Sequence, residues 1–175
     1  MRRLAILAFA AVLALPAWGA VAAPAKSWHE VRSTADGFAI QFPGKPKFST
    51  DPVPNAHGAV QHSWHLDISA HETYQVASVF YEGYVMPPPT PELYAKLLAG
   101  YATSSQTRLR TQRPISIGGH PAAEAIFDAD HDFHRLVDVL LIENRLYIVA
   151  SASSGAHETD ADALKFRNSF RLLVR

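Results

Sequence analysis

The chain has 175 residues, no cysteine, and 16 basic against 16 acidic residues, so its formal charge is zero. Without cysteine it forms no disulfide and carries no cysteine-linked lipid, and we therefore expect no stable membrane anchor. A neutral chain also lacks the charge that attracts nucleic acid or an anionic membrane surface. We expect neither of these as a partner.

The N-terminus has the organisation of a secretory signal peptide. Arg2 and Arg3 precede an apolar run over Leu4–Leu15, and small residues follow Pro16. A cationic start, a short apolar core and a small-residue exit are typical of such peptides. The apolar run is shorter than the roughly 20 residues that span a bilayer.

We therefore predict a signal peptide over residues 1–22, with cleavage after Ala22. Cleavage after Ala23 or Ala25 is the alternative. Residues 23–175 are then one exported domain, periplasmic or secreted, of a size that buries a normal core without disulfides.

A first hairpin is predicted after the signal peptide. Asp36-Gly37 favours a tight turn, because glycine accepts a positive φ without steric cost. The flanking strands are predicted at His29–Ser33 and Phe38–Phe42. Pro43 ends the second strand.

The next segment predicts a surface loop and then a second hairpin. Prolines and an asparagine interrupt residues 47–58, which favours a loop. Val60–Ile68 alternates between apolar and polar residues, Ser69–Glu72 predicts a turn, and Tyr74–Val85 returns as a long strand. The run Pro87–Pro89 excludes both helix and strand.

Two helices are predicted from their first residues. Thr90 offers a hydroxyl cap, and Pro91 with the following acid suits a first helical turn, so a helix is predicted over Thr90–Ser105. A second helix is predicted over Thr159–Ser169, capped by Thr159 or Asp160. Their apolar residues indicate core packing rather than a cofactor site.

More strands are predicted between the helices. Thr107–Ile117 contains Pro114, which places this strand at a sheet edge or at a bulge. A tight turn at residues 118–119 leads into a strand over Ala123–Ala129. After the second helix, residues 170–174 predict a short extended tail.

The most apolar segment predicts a hairpin in the middle of the sheet. Its strands are Arg135–Ile142 and Arg145–Ser151, joined by a turn at residues 143–145. The first strand is apolar on both faces, and Asp138 is the only charge within its apolar stretch. A strand that is apolar on both faces is covered on both faces. Because strands follow strands through short turns, the fold class is α+β with a mainly antiparallel sheet.

Short structural motifs extend over nearly all of residues 23–175. They are Trp28 with Asp36-Gly37-Phe38, Phe42-Pro43-Gly44-Lys45-Pro46, the helix Thr90–Ser105, the Gly118-Gly119 turn, Arg145-Leu146-Tyr147 and Asn168-Ser169-Phe170. In these motifs the chain resembles the PsbP-like family. That family includes an extrinsic photosystem II subunit, a Ran-binding nuclear import factor and many bacterial secreted or lipid-anchored proteins of unknown role.

The resemblance implies an antiparallel sheet sandwiched between helices, in agreement with the two-sided apolar strand. It supplies no catalytic residue and no cofactor, and the better-known members act by docking to larger proteins. The lipid anchor of some bacterial relatives does not transfer, because this chain has no cysteine.

Nine histidines are the unusual feature of the composition. His62 and His65 are three residues apart on a predicted strand, so they point to opposite faces and are not expected to share a metal. His131 and His134 lie with three aspartates in the predicted turn 128–134, namely Asp128, Asp130 and Asp132. Zinc or copper accepts imidazole and carboxylate ligands, but a solvated polar turn has the same composition.

The sequence contains no nucleophile–base or phosphate-binding motif. We therefore predict no catalytic, cofactor-binding or metal-binding residue, and a non-enzymatic binding or assembly module of the cell envelope. Its partner is expected to be another envelope protein, docked on an apolar surface around Tyr81–Pro91. The alternative is a hydrolase, or a zinc- or copper-binding periplasmic protein that uses the turn 128–134.

The signal peptide provides the first test. We expect the exported protein to begin at Ala23 and to be released without a membrane anchor. N-terminal sequencing of the exported product checks this. A product that still carries Arg2 and Arg3 and sediments with membranes would contradict it.

Overall fold

The structure is a computed structural model that describes residues 26–53, 58–130, 132–155 and 160–173. The predicted signal peptide and its cleavage site after Ala22 lie outside the described residues. Neither helix in the described ranges is long and apolar enough to cross a membrane.

The described residues form ten strands and two helices. In chain order these are β1 His29–Ser33, β2 Phe38–Phe42, β3 Lys47–Pro52, β4 Ala59–Ser69, β5 Glu72–Tyr81, α1 Pro91–Ser104, β6 Arg108–Ile117, β7 His120–Asp128, β8 Phe133–Ile142, β9 Arg145–Ser154, α2 Ala161–Asn168 and β10 Arg171–Leu172.

Seven of the strands form one antiparallel sheet in the order β3-β4-β5-β9-β8-β7-β6. The β8–β9 hairpin therefore lies inside the sheet, as its two-sided apolar pattern predicts. The strands β1, β2 and β10 form a separate small antiparallel sheet. The predicted α+β class with a mainly antiparallel sheet is confirmed.

Strand β8 connects the two halves of the core. On one face Val137 and Val139 pack with Leu98 of α1, and on the other Leu140 packs with Phe166 of α2 and with the small sheet. Val139 and Leu140 are each 1% exposed although they are consecutive. We call these two sides of the large sheet the α1 face and the α2 face.

Both helices begin at the predicted caps. The Thr90 hydroxyl accepts a hydrogen bond from the Leu93 N–H at 3.2 Å, and Pro91 occupies the first turn of α1. The Asp160 carboxylate accepts hydrogen bonds from the N–H groups of Asp162 and Ala163 and caps α2. These side chains satisfy N–H groups that the helix itself leaves without a partner.

The structure corrects the loop predicted for residues 47–58. Lys47–Pro52 form strand β3, with Lys47 opposite His65 and Pro52 opposite Val60. Proline disfavours a strand only where its missing N–H is needed. Pro52 lies on an edge strand, at a position whose N–H would point away from β4, so it does not interrupt the pairing, which continues to Val53.

Other predicted boundaries shift by a few residues. The strand predicted over Tyr74–Val85 ends at Tyr81, because Gly83 has a φ of +73° and the Tyr84 N–H donates to the Tyr81 carbonyl. The strand predicted over Ala123–Ala129 begins earlier, at His120. The predicted extended tail forms β10, which pairs with β2.

The burial of β8 on both faces has a direct test. Val139→Asp and Leu140→Asp should each unfold the protein, because a buried unpaired carboxylate costs several kcal/mol against a total stability of about 5–15 kcal/mol. Val85→Asp is the matched control, since Val85 is 99% exposed. Thermal melting followed by circular dichroism measures all three. A melting temperature of Leu140→Asp equal to that of the parent would contradict the two-sided core.

Candidate functional site

An apolar strip lies exposed on the α2 face of β3 and β4. Phe48 is 56% exposed, Val60 40% and Ile68 39%. Phe48 lies opposite Trp64, with ring centroids 4.9 Å apart, and Trp64 contacts the buried Phe38 edge-on at 5.1 Å. The strip is therefore anchored to the core on one side and open to solvent on the other. We call Phe48, Val60, Trp64 and Ile68 the β3–β4 strip.

The backbone beside this strip is also open. The Val53 N–H donates to the carbonyl of Ala59, the residue directly opposite in the register. In an antiparallel pair every second residue turns its N–H to the same neighbour. The N–H groups of Phe48 and Thr50 therefore point away from β4, where no other described strand pairs with β3.

The opposite edge of the sheet is protected against such pairing. Strand β6 contains Pro114, and three exposed arginines line it, namely Arg108, Arg110 and Arg113. Proline and a row of like charges are common defences of an edge strand. Strand β3 carries only one lysine and one aspartate, whose charges cancel. Of the two edges that the large sheet has in the described part of the chain, β3 is thus the less protected one, because its single proline, Pro52, is its last residue.

The segment predicted as the docking surface, Tyr81–Pro91, is also exposed over much of its length. Tyr84 and Val85 are exposed, with their side chains 48% and 99% accessible. Tyr81 and Met86 pack instead against the core on the α1 face. Pro87, Pro88 and Pro89 are exposed as well, and the segment stays a predicted docking surface in addition to the β3–β4 strip.

The turn at residues 128–134 brings an arginine into its cluster of acids and imidazole. His134 contacts Asp128 and Asp132, each at 3.1 Å. An Arg110 Nη atom lies 2.8 Å from His134 Nδ1, and Arg110 also pairs with Asp128. A guanidinium in that position competes electrostatically with a metal cation. Within the described residues no group of three or more possible ligands converges, and His131 lies outside them.

His62 and His65 have different partners, as their spacing predicts. His65 lies 2.7 Å from the Asp67 carboxylate, and His62 lies 3.0 Å from that of Asp36. The two imidazoles therefore take part in separate hydrogen bonds on opposite faces of β4.

His62 and Asp36 form the kind of pair that orients a catalytic base. Asp36 is 2% exposed and also accepts hydrogen bonds from the Ser33 hydroxyl and the Arg145 guanidinium, both at 2.6 Å. Burial raises the pKa of Asp36, but the hydrogen bonds from Ser33 and His62 outweigh it and hold the pKa below its usual value. The Ser33 hydroxyl donates to Asp36 rather than to His62, so this cluster ties the β1–β2 turn to the large sheet.

A second polar network lies on the α2 face. Glu124 and Asp138 face each other across β7 and β8, and Arg167 of α2 forms ion pairs with both. Arg113 of β6 donates to the other Glu124 oxygen. This network anchors α2 to three neighbouring strands.

Asp138 is the least satisfied member of that network. It is 4% exposed, and its Oδ1 atom accepts no hydrogen bond from any described residue. Burial raises the pKa of Asp138 to about 7, against the opposing charge of Arg167. Burial acts likewise on Glu124, but there the hydrogen bond from Arg113 and the Arg167 charge leave the pKa below its usual value. Asp138 also lines a cleft of about 370 Å³, which makes it a further candidate for proton transfer or binding.

Sequence reasoning missed Phe48 and the role of Asp138. The alternation of Phe48 and Thr50 with charged or small polar residues was the available signal for β3. The single charge inside an apolar strand was the signal for Asp138, but its partners come from β7 and α2, far away in the sequence.

The raised pKa of Asp138 predicts a pH-dependent effect of Asp138→Asn. The unfolded carboxyl titrates near pH 4 and the folded one at about 7. Between these values the folded protein binds more protons than the unfolded one, so the parent loses stability as pH rises and the asparagine variant does not. Relative to the parent, the free energy of unfolding of the variant should rise between pH 4 and pH 7, by at most about 4 kcal/mol. Above pH 7 the difference between the two proteins should stay constant. Urea unfolding at several pH values measures it, and a difference independent of pH would contradict the assignment.

Comparison with known proteins extends only to the fold. No family model matches the chain, and no curated protein matches it. The solution structure of cyanobacterial PsbP (CyanoP) from Synechocystis sp. PCC 6803 is similar, with a TM-score of 0.57 over 95% of this chain and 98% of that chain, at 13% identity. Similarity at this level of identity carries no function with it. The resemblance seen in the sequence motifs is thereby confirmed at the level of architecture, and the chain has a PsbP-like fold.

Proposed function

We propose that this protein is an exported binding module of the cell envelope that takes up an extended segment of a partner protein along strand β3. The observation that carries the proposal is the combination, at one sheet edge, of the exposed β3–β4 strip with the outward N–H groups of Phe48 and Thr50. Main-chain hydrogen bonds supply affinity when a peptide adds a strand to a sheet edge, and apolar contacts supply specificity.

The partner segment is expected to be extended and to alternate apolar and polar residues. Its apolar side chains would continue the row formed by Phe48 and Trp64 on the α2 face. Its backbone would pair with that of β3, whose own two charges, Lys47 and Asp51, cancel and so favour no strongly charged partner. The neutral chain agrees with this expectation.

Export and partner class rest on the sequence. The signal-peptide pattern of residues 1–22 supports a periplasmic or secreted location, and the partner is then another envelope protein. The competing hydrolase or metal-protein hypothesis is less well supported, because Arg110 occupies the turn at residues 128–134 and the Asp36 carboxylate beside His62 is already paired with Arg145.

Photo-crosslinking in the cell envelope tests the docking surface. A photoreactive phenylalanine analogue replaces Phe48 in one variant and Tyr84 in a matched control, since both aromatic residues are about half exposed. We expect the analogue at position 48 to crosslink a distinct envelope protein, and the analogue at position 84 not to do so.

A backbone variant tests strand addition itself. Thr50→Pro removes an outward N–H while leaving the pairing of β3 with β4 intact, so it should reduce the crosslink about tenfold, the equivalent of about 1.4 kcal/mol. Thr50→Val keeps the N–H and should crosslink normally. A crosslink to a second copy of this chain, a crosslink from position 84 alone, or an undiminished crosslink in Thr50→Pro would each refute the proposal.

A further inference from the structure

A small cleft opens on the α1 face, on the side of the sheet opposite the β3–β4 strip. It has a volume of about 230 Å³ and is lined by Tyr101 from the last turn of α1. Ala152 of β9 sits between Arg135 of β8 and Thr73 of β5 in the strand register. Because alanine is small, the sheet surface is hollow between the arginine and the threonine.

Arg135 differs from the other arginines in the described ranges. Each of those forms an ion pair with a carboxylate, and Arg135 forms none. Its Nη1 donates a long hydrogen bond of 3.5 Å to the Tyr101 hydroxyl, and its Nε is buried with no acceptor among the described residues. A buried donor without an acceptor is costly, so the described residues leave the hydrogen-bonding capacity of this guanidinium partly unused.

The other side chains that line the cleft are suited to an anionic ligand. Thr73, Gln75 and His65 add hydrogen-bonding side chains, and among the described residues no aspartate or glutamate lines the cleft. The nearby Asp67 is engaged with His65 at 2.7 Å, and its side chain is 59% exposed. A negative charge that enters therefore meets a cation that no described carboxylate neutralises, and no described carboxylate in the lining repels it.

Arg135 is not needed to cap α1. It contacts the Tyr101 phenol, whereas the Tyr101 carbonyl accepts hydrogen bonds from the Ser105 N–H and from the hydroxyls of Ser104 and Ser105. The negative end of this helix is thus satisfied by its own serines.

From this geometry we infer that the cleft binds a small carboxylate with an apolar body. A carboxylate accepts strong hydrogen bonds from a guanidinium, and Arg135 supplies a guanidinium to this lining. Tyr101, Phe133 and the alanines of β9 contact the apolar body. The carboxylate comes either from a free small molecule or from the C-terminus of a peptide, since the two have the same chemistry.

Benzoate and benzamide are the probes for the purified protein, because they differ only in the charged group. We expect saturable binding of benzoate and none of benzamide by calorimetry. In ¹⁵N–¹H NMR spectra benzoate should shift the amide signals of Thr73, Gln75 and Ala152. Equal binding of the two probes, no saturable binding, or shifts confined to another surface would overturn the inference.

Arg135→Met tests the guanidinium, with Arg32→Met as the matched control on the exposed surface of the small sheet. Arg135→Met should lose at least tenfold in benzoate affinity and melt no lower than the parent, because it removes a cation that has no carboxylate partner among the described residues. Unchanged benzoate affinity in Arg135→Met would overturn the inference. If this variant does not fold, the benzoate and benzamide spectra of the parent decide alone.

A peptide pair distinguishes the two sources of the carboxylate. Gly-Gly-Phe and its C-terminal amide are titrated in the same way as benzoate. Tighter binding of the free peptide than of benzoate assigns the cleft to a peptide C-terminus. Binding of benzoate alone assigns it to a free small molecule, and binding of the amide as well as the acid would count against any carboxylate site.

Discussion

The structure depends on the burial of strand β8 on both of its faces. Val139 and Leu140 are adjacent in the chain, yet both are almost fully inaccessible and belong to different halves of the core. A strand that is apolar on both faces needs other elements packed against each face. In this chain α1 packs on one face, and α2 with the small sheet packs on the other. Because α1, α2 and the small sheet cover the middle of the large sheet, its outer strands remain partly exposed, and the proposed β3 edge is found there. The Arg135 cleft lies instead on the central strands β5, β9 and β8, beside Tyr101 of α1.

Polar side chains fix the position of α2 and the small sheet against the large sheet, but they do not supply most of the stability of this packing. Asp36 joins the β1–β2 turn to the large sheet through His62 and Arg145, and Arg167 joins α2 to Glu124 and Asp138. Buried charges of this kind contribute little net free energy when fully paired. Asp138 is the member whose Oδ1 has no partner among the described residues, and burial raises its pKa to about 7.

Local patterns were enough to predict the class, the two helices with their caps, and the central hairpin. These depend on alternation, capping residues and turn glycines, which act over a few residues. The prediction of a loop over residues 47–58 was wrong for β3. The prolines near residue 52 indicate a turn, but they do not indicate whether a strand comes before that turn. The pairing of Arg167 with Asp138, and the isolation of Arg135 from any carboxylate in the described ranges, depend on tertiary contacts between distant segments, which no local pattern encodes.

The central claim is that β3 is an open edge that a partner strand completes. Amide hydrogen exchange, measured by NMR with and without the crosslinked partner, tests it most directly. In the free protein Phe48 and Thr50 should exchange rapidly, whereas Ser49 and Asp51, which pair with β4, should be protected. The partner should bring Phe48 and Thr50 to the protection of their neighbours. Equal protection of all four amides in the free protein, or no change at Phe48 and Thr50 on binding, would contradict the claim.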